Sequence, residues 1–177
     1  MTEPAVAPRT VVVTRTYLRM QHVSALRPVE VADARLTFAR LDGCDVARAR
    51  AYYRVIGERW QWTDRDTWSD AQYANYLARP GLSLWLLRFV GEDAGVVEID
   101  RQDDGAVEIA LFGLLPRFFG RGFGKHLLTC AARAAWSTQP HTVWLHTCTL
   151  DSPRALSNYV KRGFVPFREE QYSVVLP

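Results

Sequence analysis

The sequence predicts one α/β domain built on a mixed sheet, mostly antiparallel with one parallel strand pair. Three observations carry this. Short β-rich runs in the middle of the chain are joined by tight polar turns; a long amphipathic helix follows a glycine-rich turn; and a strong strand comes directly after that helix, the order of a parallel crossover. The chain of 177 residues has room for a single large core, so one domain over 1–177 is expected.

The elements follow in order. Thr10 to Met20 is dense in β-branched residues and reads as a strand. Pro28 marks a connection, and Leu36 to Arg40 reads as a short second strand. Asp42 or Asp45 can cap a helix reaching Gly57, with Val46, Ala49, Tyr53 and Ile56 at helical spacing. Trp60 to Trp68 is irregular and rich in tryptophan. Ser69 then caps a second helix that Pro80 and Gly81 stop. Ser83–Val90 and Gly95–Asp100 form a hairpin around Gly91–Gly95, and a turn at Gln102–Gly105 leads to a strand over Ala106–Leu114. After Pro116 and the glycine turn, Phe123, Leu127, Leu128, Ala131 and Ala135 trace one face of a helix. Thr142–Thr149 is a strand, Asp151 or Ser152 opens a short helix closed by Gly163, and Phe164–Leu176 holds one or two strands.

Composition excludes several classes. Hydrophobic residues make up 48% and charged residues 23%, values of a folded globular chain. The 22 Lys and Arg against 19 Asp and Glu leave +3, too small an excess to imply nucleic-acid binding, and the arginines are dispersed. Cys44, Cys130 and Cys148 are odd in number and widely spaced, so a reducing, cytoplasmic setting is expected and the thiols read as small packing groups. The amino-terminal stretch carries Glu3, Arg9, Arg15 and Arg19 and reads as neither signal peptide nor anchor; no apolar run suits a membrane span. His22, His126, His141 and His146 lack zinc spacing, so no metal is expected.

The chemical signal is strongest at Gly120-Arg121-Gly122-Phe123-Gly124, between a strand and a helix. Glycines let the backbone approach a ligand, and a helix start offers unpaired N–H groups and a positive dipole end, both suited to phosphate. Arg121 and Lys125 add cationic side chains. A Walker loop fails because Phe119 and His126 stand where a glycine and a Ser or Thr belong; a dinucleotide fingerprint fails because Lys125 occupies its third glycine.

The turn fits a third pattern. Gly122 and Gly124 followed by Leu127-Leu128, within Glu108–Leu128, resemble the strand–loop–helix motif of the GCN5-related N-acetyltransferases, whose turn holds the pyrophosphate of coenzyme A. Thr149–Phe164, with Ala155, Tyr159 and Gly163-Phe164 in step, is similar to that family's next motif. The resemblance covers roughly residues 82–170. Phe119 replaces the Gln or Arg that opens the family's turn, and Ser152, beside Asp151, replaces the common Asn of the second motif.

The resemblance implies an acetyl-CoA-dependent transfer to a primary amine of a small molecule, peptide or protein. It implies a parallel strand pair that splays, so that backbone near Phe112 and Leu114 pairs with the pantetheine arm and can polarise the thioester. It implies a cofactor cradle from Phe119, Gly120, Arg121, Gly122, Phe123, Gly124 and Lys125, flanked by Ser152 and Ala155, with Arg154 a further contact. Glu108 stands where the lysine-acetylating branch carries its base, and Tyr159 where family members place a tyrosine near the coenzyme A sulfur.

Alternatives stay open at this level. Glu108 alternates with Val107 and Ile109 and would equally suit an outward-facing strand position, and His146 on the neighbouring strand competes as base. Glu98 and Asp100 share one strand face and read as solvated. Trp60, Trp62, Trp68 and Tyr73 either shape an acceptor cleft or staple the helices to the sheet; Asp64, Asp66 and Asp70 hint at a cationic acceptor, but Arg59 and Arg65 interleave with them. The same scaffold could serve as a non-catalytic coenzyme A sensor or partner module, or use another acyl donor. The strands at 10–20 and 172–176 invite pairing across a homodimer.

Overall fold

The computed structural model describes residues 9–176. Glu3 lies outside them. The chain folds around one seven-stranded sheet in the order β2-β3-β4-β5-β6-β1-β7. Its strands are β1 (Arg9–Met20), β2 (Leu36–Leu41), β3 (Leu82–Phe89), β4 (Glu92–Arg101), β5 (Val107–Leu114), β6 (Val143–Cys148) and β7 (Val165–Leu176). Neighbours are antiparallel except β5 and β6. Four helices complete the fold: α1 (Val46–Gly57), α2 (Asp70–Leu77), α3 (Phe123–Trp136) and α4 (Ala155–Lys161).

Local chemistry sets the helix ends. Asp45 caps α1, its carboxylate accepting from the Arg48 N–H, and Ser69 and Gln72 form a reciprocal capping box at α2. Helix α3 buries Phe123, Leu127, Leu128, Ala131 and Ala135 against one sheet face, with Val97, Ile99, Val107, Ile109, Val143 and Leu145 beneath. Helix α1 covers part of the other face with Tyr52, Tyr53 and Ile56 on Leu86, Val96 and Leu111. Among the described residues no helix is long and apolar enough to cross a membrane.

Three expectations change. The β3–β4 turn is the two residues Val90 and Gly91, at φ 53° and 78°, because the strands pair up to Phe89 and Glu92 and leave no room for a longer loop. Strands β1 and β7 pair with each other within the chain, from Arg9–Leu176 to Arg19–Val165, which seats β1 inside the sheet and leaves β7 at its edge. Asp151 does not open α4, which starts after Arg154; its carboxylate turns back to the end of β6.

Candidate active site

The site begins where β5 ends. A single tight turn over Pro116–Phe118 carries the chain into the glycine segment, and Gly122 stands at the N-cap of α3 with φ 78° and no side-chain cap. Gly120 shares that φ, and a Cβ added to either glycine would meet nothing within 4 Å. The backbone here is therefore open, and this 14-residue helix starts without a side-chain cap, the condition that leaves first-turn N–H groups available to a ligand. Lys125 and Gly124 line the adjoining cleft. The Phe123 ring is buried in the core, leaving only its backbone to the turn. Arg121 is not among the cleft-lining residues; its guanidinium lies 5.5 Å from the ring centres of Phe89 and Phe118. Phe119 is half-exposed at the rim, beneath the Arg59 guanidinium.

A cleft of about 1310 Å³ runs from this turn between β5 and β6. The two strands are paired only at Val107–Val143 and Glu108–Trp144, and then separate. Phe112 and Leu114 line the β5 side; Ser152, Ala155 and Tyr159 line the other. The Tyr159 ring is buried edge-on to Phe112 at 5.9 Å and to Phe164 at 6.5 Å. Burial, and secondarily the charge of Asp151, pushes its hydroxyl far above the usual phenol range, so it holds its proton at neutral pH.

Glu108 is not an outward-facing strand residue. Its side chain is 16% exposed, the Gln102 amide donates to its Oε2 at 3.4 Å, and Gln102 in turn accepts from the Trp144 indole at 3.2 Å. Burial first, and the Asp100 charge second, push the Glu108 carboxyl up to about 7. His146 Nε2 lies 3.9 Å from Glu108 Oε1, and burial together with Arg15 lowers its proton affinity. The two rival bases thus stand side by side, with the Glu108 carboxyl raised to about 7 and the His146 imidazole pushed toward its neutral form.

The wall formed by β4 and the segment from α1 through α2 differs most from expectation. Glu98 and Asp100 are 2% and 3% exposed, not solvated, because the segment from α1 through α2 covers their strand face. Arginines from that segment neutralise them. Arg65 forks onto both Glu98 oxygens at 2.9 and 2.7 Å, Tyr76 donates to the same carboxylate at 2.7 Å, and the guanidinium sits among the rings of Tyr53, Trp68 and Tyr76. Arg79 pairs with Asp100 Oδ2 at 2.7 Å. Trp62 reaches the far wall, donating to Asp151 at 2.8 Å. Trp60, Trp62, Trp68 and Asp64 line the cleft, while Tyr73 is wholly buried and Asp70 pairs outside with Arg50. The tryptophans therefore both staple the wall and form its inner surface.

Comparison with known proteins agrees with this geometry. The model of the acetyltransferase (GNAT) family matches residues 47–164. A GCN5-related N-acetyltransferase from Kribbella flavida superposes with a TM-score of 0.62 at 19% identity, over 95% of this chain and 60% of its own. One from Sphaerobacter thermophilus gives 0.67 at 14% identity, over 95% and 53%. An IAA acetyltransferase from Bacillus cereus gives 0.57 at 20% identity, over 75% and 79%. The chain thus spans little more than half the length of the first two. No curated protein matches it by sequence. With a family match over two thirds of its length and this splayed, glycine-turned fold, the chain belongs to the acetyltransferase (GNAT) family.

Proposed function

We propose that this protein transfers the acetyl group of acetyl-CoA directly to a primary amine. The observation that carries the reading is the continuity of one cleft from the open glycine turn, past Tyr159, to Glu108. The turn suits a pyrophosphate: two positive-φ glycines with open faces, an uncapped helix start and Lys125 beside it. The splayed edge of β5 near Phe112 and Leu114 leaves backbone groups for the pantetheine arm and for the thioester oxygen.

The proton traffic uses this chain's own groups. Glu108 takes a proton from the acceptor ammonium, the freed amine attacks the thioester carbonyl, and the carbon–sulfur bond breaks. Tyr159 gives its hydroxyl proton to the departing thiolate, and the second amine proton, released as the adduct collapses to the amide, restores that hydroxyl. His146, one third open to solvent, relays the Glu108 proton outward.

Calorimetric titration with acetyl-CoA, coenzyme A and ATP tests the cradle, and an amine and peptide screen then tests the chemistry. Preferential binding of the coenzyme A ligands, with turnover reduced about 100-fold or more in Glu108→Gln and Tyr159→Phe at unchanged acetyl-CoA affinity, is expected. Absence of binding by folded protein overturns the reading. Binding with no turnover of any acceptor would favour the sensor role instead.

A further inference from the structure

Among the buried groups that the catalytic reading leaves unused, Asp100 stands beside Glu108 itself. Asp100 is directly opposite Glu108 across the β4–β5 ladder, on the same sheet face, which brings the two Cβ atoms to about 5 Å. Its Oδ2 is held by Arg79 at 2.7 Å, but its Oδ1 is buried with no hydrogen-bond donor. Both residues line the cleft. A buried carboxylate oxygen without a donor is costly, and such groups in native proteins call for an explanation.

Glu108 supplies one. We propose that Asp100 is a positioning residue for Glu108, its Oδ1 accepting a hydrogen bond from the proton that Glu108 takes from the acceptor ammonium. In that step the N–H bond of the ammonium breaks, an O–H bond forms on Glu108, and the total charge of the pair falls from two to one. Like charges this close disfavour double ionisation, so the pair makes Glu108 a stronger base than a lone strand carboxylate. Burial pushes the Asp100 carboxyl up as well, and the Arg79 ion pair opposes that push, favouring Asp100 over Glu108 as the ionised member. The other charged groups facing Glu108 are Glu98 along β4, Arg65 from the loop before α2, Arg79 after α2 and His146 on β6. Of the two acids, Asp100 stands directly opposite Glu108 across the ladder and acts on it more strongly than Glu98 does.

This role rests on Glu108 being the base, so its test reads the carboxyl directly as well as through turnover. Whole protein labelled with 13C at the glutamate side-chain carboxyl is titrated by NMR, the Glu108 resonance being identified by its loss in Glu108→Gln. Asp100→Asn, which keeps the side-chain shape, should lower the Glu108 midpoint by about one pH unit. Arg79→Gln, at a half-exposed position, should raise it. The acid limb of kcat/KM should move the same way in each variant. A role confined to stability would lower the melting temperature of Asp100→Asn and leave both midpoints where they are in the wild type. Unmoved midpoints overturn the proposal. Midpoints that move in opposite directions support it even in a protein that turns over no acceptor, in which case only the function proposed for the site fails.

Discussion

The indole Nε1 of Trp62 donates to Oδ1 of Asp151 at 2.8 Å, joining two walls of the cleft that lie 89 residues apart in the chain. The other Asp151 oxygen accepts from the Thr147 hydroxyl at 2.7 Å and the Cys148 N–H at 2.9 Å. One carboxylate thereby fixes the end of β6 and anchors the tryptophan-rich loop.

Breaking that bond should show coupling. In a double-mutant cycle, Trp62→Phe and Asp151→Asn should interact by about 1 kcal/mol in urea unfolding. Asp151→Ala should lose more, roughly 2–3 kcal/mol, because it also strands the Thr147 and Cys148 donors. Additive losses would show that the indole contact contributes nothing beyond packing.

Glu108 should make stability fall with pH. Its carboxyl sits at about 7 in the folded chain against 4.5 when unperturbed. Between those values the folded state binds a proton that the unfolded state has released, so stability declines as pH rises through the window and levels off above it. At about 1.4 kcal/mol per unit, the loss over this window is on the order of 3–4 kcal/mol. Glu108→Gln should remove that slope and be more stable than wild type at pH 8, measured by urea unfolding at pH 4.5 and 8. An identical pH dependence in both proteins would contradict the raised carboxyl.

Val90 should be a site of easy stabilisation. It is a β-branched residue at φ 53° in a two-residue hairpin turn, and its side chain is 62% exposed, so packing does not compensate the strain. Val90→Asn should gain about 1 kcal/mol, or roughly 2–4 °C in Tm for a chain of this size. An unchanged or lowered Tm would show that the turn is not strained.

Gly122 should matter to the ligand more than to the fold. A methyl group there meets nothing in the protein, so Gly122→Ala should lose only about 1 kcal/mol of stability, from its positive φ. The same methyl would occupy the face open to the pyrophosphate, and acetyl-CoA affinity should drop about tenfold or more by calorimetry. Equal affinity would place the phosphates elsewhere.

What could be read from the sequence was what neighbouring residues decide among themselves. Asp45 and Ser69 announce their helices because a cap acts three residues away, and the glycine turn announces itself through backbone freedom alone. The resemblance of two motifs placed Glu108 and Tyr159 in one cleft. Val90 was missed as a turn residue because valine has no turn propensity; strand register forces it there. Glu98 and Asp100 were misjudged because alternation along a strand says which side chains share a face, not what covers that face. Arg65, Arg79 and Trp62 were not singled out as partners, since each contact joins a loop to a strand or turn far along the chain.

The seating of β1 has a consequence for how the molecule is made. Strand β1 lies inside the sheet, between β6 and β7, so both of its ladders join it to strands more than a hundred residues further along the chain. Until those ladders close β1 has no partner in the sheet, and closure over such a span is the kind that slows folding most. The part of the sheet from β2 through β5 has no such delay, since its ladders join strands that follow one another in order. The wall that carries Glu108 is therefore built largely from pairings between successive strands, whereas the His146 strand gains its second neighbour, β1, only through a pairing that spans well over a hundred residues.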